Sequence, residues 1–555
     1  MEDKNFHLGL CLAGAVSAGA YTAGVVDYLF EALDKWQKRK NENLPDTPSH
    51  NVVIDVIGGA SAGGMTAIIT AAALHNEIKP VKFPGNDEEI FAEQPQNKFY
   101  HSWVDLLDKD MFSLMLDTSD VSKDSEVYSL INAEFIDKVA DKVVGVDVSN
   151  LKSLPSYVSN ELKIFTTLTN LEGFPYEISY QGNTTLNKYY MAIHNDYACF
   201  QLNKNEAEKD GWMPLDFKTG KNVNTAKDAA MATGAFPVGL KSRKLSRSAD
   251  DVNALKWLAD VDPVKGPEYI TQNIDGGTIN NEPFEKVRDV LKETTSQDDP
   301  KVYNDPDLFN NTILFVDPFP SEKPGKFKID LSLFKTIGYT LNALIGQGRT
   351  KTGIISTALN TNLVGQFMIA PSRRRPTISG EEEAVQGEKA IACGAFDGFS
   401  GFINKEFRVH DYFLGRFNCE IMLRNYFIIP ESSLSKNDIF RDGYQGIDRS
   451  KFCVIQDEKK YYPIIPIFEE RRDEFPIPEF SSGSNWPVIR NKEIEEFDPQ
   501  LRKRAQAILL NIVKLNPRSK FWLRIGTRVI LNRMLSNTAM NTIKKALKDH
   551  ELLKS

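Results

Sequence analysis

Nothing in this 555-residue sequence offers a disulfide framework or a ready metal site. The five cysteines, Cys11, Cys199, Cys393, Cys419 and Cys453, are odd in number, widely scattered and free of any C-x-x-C pair. That spacing argues against zinc and against a bridge network, and free thiols fit a reducing cytoplasm. Positive charge is not in excess. With 67 Lys and Arg against 75 Asp and Glu, the net charge of -8 argues against a nucleic-acid binder as a whole. Long apolar runs are missing too. Residues 8–26, LGLCLAGAVSAGAYTAGVV, come nearest, but Glu2 and Asp3 offset Lys4 ahead of them, Gly and Ala dominate them, and Asp27 follows. The positive start of a signal peptide and the Leu/Ile density of a spanning helix are both lacking, so a cytoplasmic location is expected. The 41% hydrophobic and 26% charged content is that of an ordinary globular protein. At several times the usual domain size of about 100–200 residues, the chain should hold two or three units.

The first 80 residues contain the same local pattern twice: a short apolar run, a turn of small residues, then helical spacing. His7–Leu12 and Val52–Ile57 read as strands, and Ala20–Leu33 and Ala62–Leu74 as the helices that follow them. Strands alternating with helices predict an α/β fold with a mainly parallel sheet. Further strands are expected at Leu162–Leu168 and Thr312–Val316, which sets the core at residues 1–320. Within it, residues 76–160 are polar, proline-punctuated and only intermittently helical, and read as an insertion or cap. Residues 330–360 show helical spacing, and Pro371–Gly387, with Arg373, Arg374, Arg375 and Pro376, reads as a polar loop. A helical layer over 321–450 is therefore expected. The proline-rich stretches near 461–480 read as extended connections inside a C-terminal extension, 451–555.

Chemistry is concentrated at Gly59-Ala60-Ser61-Ala62-Gly63. A G-x-S-x-G between a strand and a helix is the sequence of a nucleophile elbow, a tight turn that presents the serine hydroxyl. Glycines at Gly59 and Gly63 let backbone pass where a Cβ would collide, and the helix N-terminus favours a developing oxyanion. Small residues at such a turn also serve plain close packing. A nucleophilic serine needs a base, usually histidine. None of the seven histidines, His7, His50, His75, His101, His194, His410 and His550, stands in an evident catalytic turn. The conspicuous carboxylate is Asp275 in Asn273-Ile274-Asp275-Gly276-Gly277, a flank that suits a side chain at the tip of a strand, or simply an Asp-Gly turn.

Four blocks, AGAVSAGAYTAGVVDYL at 13–29, GGASAGG at 58–64, KDAAMATGAFPVGL at 227–240 and DGGTINNEP at 275–283, occur in the order found in patatin-like phospholipases. The resemblance covers about residues 5–320. The block ACGAFDGFSGFINKEFRVHDYFLGRFN at 392–418 is also similar to the C-terminal part of a bacterial subgroup of that family. The resemblance implies a patatin-like three-layer sandwich and a Ser-Asp dyad without histidine. Ser61 would attack an acyl ester of a phospholipid or related glycerolipid, and Asp275 would accept its proton and later activate water. Neither metal nor other cofactor is implied. An ordinary aspartate, with a pKa of about 3.9, is a weak base, and desolvation in a lipid-lined cleft would raise it. The resemblance also assigns the oxyanion hole to the first turn, Gly14, Ala15 and Val16. Here the sequence departs from the family pattern of three successive glycines with a basic residue two positions on. Ala15, Val16 and Ala18 stand at those positions. The donors are main-chain N–H groups and survive the change, whereas the added Cβ atoms narrow the turn conformations open to them.

Three other readings compete. A Ser-His-Asp hydrolase could use His410, which follows Asp275 in the right chain order, although its neighbours Arg408, Asp411 and Arg416 are spaced for ion pairs on a helix. A glycine-turn phosphate binder would need G-x-G-x-x-G or G-K-[ST], and the first turn has neither. A patatin-like domain without activity would act as a lipid-binding or regulatory module. Finally, residues 511–555 carry ten basic residues against two acidic ones, interleaved with Phe521, Trp522, Ile525, Val529 and Leu531. This tail is expected either to pack on the protein with a solvated basic face or to lie on an anionic membrane, at its inner face.

Overall fold

The computed structural model describes residues 4–81, 97–105, 111–121, 126–179, 188–205, 208, 210–258, 261, 263–296, 305–320, isolated positions between 329 and 346, 366–376, 382–470, 477–512 and 532–554. The two strand-turn-helix units form as expected: β1 (Asn5–Leu12) leads to α1 (Gly19–Asn41), and β2 (Asn51–Gly59) to α2 (Ser61–Ala73). Two helices of the 76–160 stretch follow, α3 (Met111–Leu116) and α4 (Glu134–Val144). The chain then runs through β3 (Val158–Ser179), β4 (Lys188–Leu202), β5 (Met213–Leu215), α5 (Val223–Thr233), β6 (Arg243–Ser248), β7 (Glu268–Asp275), α6 (Phe284–Thr295), β8 (Asn311–Val316) and β9 (Gln366–Ile369).

These strands make one nine-stranded sheet whose path runs β5-β4-β3-β2-β1-β8-β9, with β7 on β3 and β6 on β7. Pairings β1–β2, β1–β8, β2–β3, β4–β5 and β8–β9 are parallel, and the sheet is mainly so. Its central strands are buried on both faces, which explains their near-continuous apolar sequences. Leu8, Leu10 and Leu12 face a core shared with α1 and α2, while Cys11 faces a second core with Val287 and Leu291 of α6. Helix, sheet and helix thus form three layers, the arrangement the resemblance implied.

Beyond the sheet, α7 (Lys405–Asn425) lies along α1. The approach is close because a Cβ on Gly24 would stand 1.9 Å from the Tyr412 carbonyl oxygen. The polar loop expected at 371–387 is instead a hairpin, β10 (Ser372–Pro376) against β11 (Glu382–Gln386). Cross-strand pairs Arg374–Glu382 and Arg375–Glu383 hold it, so charge replaces the apolar alternation that marks most strands. Of the helical reading at 330–360 only isolated positions are described. Helices α8 (Asp498–Ile512) and α9 (Asn532–Asp549) close the chain, and α9 sinks Met540, Ile543 and Leu547 into the core. The aromatic part of the basic tail, Phe521 to Leu531, lies outside the described residues. No helix among the described residues is long and apolar enough to cross a membrane.

Candidate active site

The register of the sheet brings Ser61 and Asp275 together across 214 residues. Strand β2 pairs with β3 up to Gly59 opposite Thr166, and β7 takes over that same edge with Asp275 opposite Leu168. Ser61, two residues past Gly59, therefore meets the tip of β7. The Ser61 hydroxyl donates to Asp275 Oδ2 at 2.7 Å, and the two residues are 6% and 5% exposed. Ser61 has φ +48°, the left-handed conformation of a strained elbow. Gly59 and Gly63 make that turn: a Cβ on Gly59 would lie 2.4 Å from the Gly63 carbonyl carbon, and one on Gly63 would lie 2.2 Å from the Leu12 oxygen. The Ser61 N–H donates to Thr233 Oγ1 at 2.9 Å.

Asp275 is fixed from several sides. Its N–H donates to the Ala235 carbonyl at 2.9 Å, its own carbonyl accepts from Thr169 Oγ1, and Oδ1 accepts from the Gly277 N–H at 2.7 Å. Gly276 passes so close to β3 that a Cβ there would be 2.2 Å from the Thr167 oxygen. One carboxylate oxygen is thus anchored while the other faces the serine. A hydroxyl at this distance can hand its proton to the carboxylate.

The turn after β1 adjoins the elbow. A Cβ on Gly14 would stand 3.0 Å from Ser61 Cβ and 2.3 Å from Asn281 Oδ1. Val16 takes φ +47°, a conformation unfavourable for a β-branched residue. The N–H groups of Ala15 and Val16 donate to no acceptor among the described residues. From behind, Ser17 braces the turn: its N–H donates to the Gly398 carbonyl at 3.1 Å, and its hydroxyl bonds the same carbonyl and accepts from the Gly401 N–H. Sequence reasoning missed Thr233 and Asn281, although both stand inside matching blocks. Asn281 fills the space that two glycines leave, since its Oδ1 would also lie 2.5 Å from a Cβ on Gly277. Gly14→Ala is expected to lower stability by about 1–3 kcal/mol through this overlap. Urea unfolding should show part of that loss recovered in Gly14→Ala/Asn281→Ala, because the carboxamide is then gone.

Ser61 and Asp275 open into a cleft with about 1130 Å³ of empty space, solvent at its mouth included. Its walls are apolar: Met65 and Ile68 from α2, Phe236, Phe399, and Trp103, Met115, Phe135 and Val139 from the stretch expected to form a cap. Lys227, Lys241 and Arg243 also line it, with Lys227 paired to Asp141 and Arg243 to Asp137. No histidine is among the described residues of the lining. His410 is buried elsewhere, bonded to Asp411 at 2.7 Å with its ring against Trp486, and burial lowers its pKa. Asp411 also accepts from the N–H groups of Ala392 and Cys393. Arg408 donates to the carbonyls of Gly401 and Val104, and Arg416 pairs with Asp27 and Glu31.

Residues 10–288 match the Patatin family, described as patatin-like phospholipase. The chain is also 28% identical over 533 residues to "Uncharacterized protein y4iI" of Sinorhizobium fredii, across 86% of this chain and 73% of that protein. At 86% of the chain, this second similarity extends well past the family span. A match that begins in β1, ends in α6 and so takes in both Ser61 and Asp275 places this chain in the patatin-like phospholipase family.

Proposed function

We propose that the protein is a serine acyl hydrolase that cleaves acyl esters of phospholipids or related glycerolipids through an acyl-Ser61 intermediate. The observation that carries this reading is the 2.7 Å contact between Ser61 Oγ and Asp275 Oδ2 at an apolar cleft. Ser61 Oγ attacks the ester carbonyl while its proton passes to Asp275 Oδ2. The tetrahedral intermediate collapses, the carbon–oxygen bond to the leaving alcohol breaks, and that alcohol takes the proton from Asp275. Water then enters, Asp275 removes its proton, and attack on the acyl-serine releases the fatty acid and restores the hydroxyl. The open N–H groups of Ala15 and Val16, beside Ser61, suit the negative oxygen of both tetrahedral species. The apolar walls suit an acyl chain.

Incubation with mixed phospholipid vesicles should release fatty acid and lysophospholipid, read by mass spectrometry. A fluorophosphonate probe should label the protein once, with the label on the peptide that contains Ser61. Labelling at another residue, or neither product nor label with vesicles present, would favour a binding module over an enzyme.

A further inference from the structure

The mouth of the cleft carries apolar side chains that the core does not use. Tyr128 and Leu130 are 64% and 46% exposed, and Phe236 and Val238 are 36% and 71% exposed. Single exposed apolar residues are common on any surface. These four sit on two segments that are bonded to each other, the Leu130 N–H donating to the Val238 carbonyl at 3.0 Å and the Ile131 N–H to the Gly239 carbonyl at 3.1 Å. Lys241 Nζ lies 5.4 Å from the centre of the Tyr128 ring. Phe236 and Lys241 also line the cleft that holds Ser61, so patch and cleft are one continuous surface.

Two features show that this face is held in place. Arg504 of α8, buried, donates to the carbonyls of Asp117, Ser129 and Leu130 and pairs with Asp120, which fixes the segment that bears Tyr128 and Leu130. Val238 has φ +66°, a backbone conformation that Asn, Asp and Gly accept far better than valine. Its side chain faces water and recovers little of that cost by packing.

We propose that Tyr128, Leu130, Phe236 and Val238 form the face by which the protein seats on a phospholipid surface. The apolar side chains enter the boundary between head groups and acyl chains, and Lys241 stands at the level of the phosphates. A tyrosine with an apolar ring and a wet hydroxyl suits that depth. A lipid acyl chain then moves from the bilayer along Phe236 into the cleft without crossing water. A protein partner on the same face would cover the mouth through which the substrate must enter, which is why the occupant is a lipid surface. The proposal rests on the Ser61 reading for its purpose, but it can be tested separately.

The test uses the full chain and the variant Leu130→Asn/Val238→Asn, neither of whose positions lines the cleft, with asparagine chosen because it tolerates the left-handed backbone. Sedimentation with vesicles of phosphatidylcholine and phosphatidylglycerol, and hydrolysis of the same vesicles, should each fall about tenfold or more. Hydrolysis of a dissolved short-chain ester, p-nitrophenyl butyrate, should stay within about twofold of the parent. Tyr128→Ser should lower vesicle sedimentation in the same direction, which guards against misfolding of the double variant. Vesicle binding and hydrolysis equal to the parent would overturn the docking face, as would unchanged vesicle binding with a shift from dimer to monomer in solution. If the parent hydrolyses neither substrate, the Ser61 reading fails, while sedimentation still decides the docking face.

Discussion

Ser61→Ala is expected to abolish both hydrolysis and fluorophosphonate labelling, a loss of about 10⁴–10⁶ in kcat if Ser61 and Asp275 act as one unit. Asp275→Asn should come close to it, with a loss of about 10³–10⁴. The asparagine keeps the shape of the site, and its carbonyl oxygen can still accept from the Gly277 N–H, the bond that anchors Asp275 Oδ1. The other arm becomes an amide NH₂ and now faces the Ser61 hydroxyl across the contact that was 2.7 Å. A donor there cannot take the proton, so the serine remains a neutral alcohol. The double variant should be no worse than Ser61→Ala, because one step is lost in either case. Both single variants should unfold within about 1 kcal/mol of the parent, since neither substitution opens a cavity of any size. Asp275→Asn with parental kcat would show that another group receives the proton.

How much of this was legible in the sequence follows from where each requirement is local. Gly59, Ser61 and Gly63 meet one another within a single turn, so the pentapeptide and its strand-helix flanks display the elbow directly. The two units β1–α1 and β2–α2 were readable for a similar reason: apolar runs buried on both faces, then helical spacing. Strand β7 shows in the sequence only as a possible strand tip at Asp275, because its buried positions, Thr271, Asn273 and Asp275, are polar while Ile270 is exposed. The hairpin β10–β11 lacks the apolar alternation that marks most strands, since Arg374 and Arg375 pair instead with Glu382 and Glu383. Thr233 and Asn281 stand inside matching blocks, but nothing in their immediate sequence marks what they touch. Their places depend on the register that sets β7 past the end of β2 on the same edge of β3. The chain order that suggested His410 as a base says nothing of burial, and its ring is packed against Trp486 and bonded to Asp411.

The second large effect is expected far from the elbow, at Arg416. On α1, Asp27 is fully buried and Glu31 nearly so, one turn apart, and Arg416 of α7 pairs with both. Burial raises the pKa of Asp27 against the pull of Arg416, while at Glu31 the pull of Arg416 and Lys35 outweighs burial and lowers it. Arg416→Ala leaves two carboxylates without their shared cation in a closed helix contact, a change that should cost about 3–5 kcal/mol in urea unfolding at pH 7. The pH dependence fixes the cause. In the variant the folded pKa of Asp27 must lie further above its unfolded value, so the folded state binds the extra proton, and stability should rise as pH falls from 7 toward 5 more steeply than in the parent. Loss of packing alone would give no such slope. The consequence for the site runs through the helix pair. α1 starts directly after Gly14 to Ala18, and the segment ahead of α7 holds Ser17 through Gly398 and Gly401. When Arg416 no longer clamps α7 to α1, both supports of the turn loosen together. Hydrogen exchange at Ser17 and Ala18, whose N–H groups donate to the Gly398 and Ala15 carbonyls, should therefore quicken in Arg416→Ala under conditions where the amides of β2 remain protected, and ester hydrolysis should fall with it, because N–H donors that wander give an oxyanion little to bind.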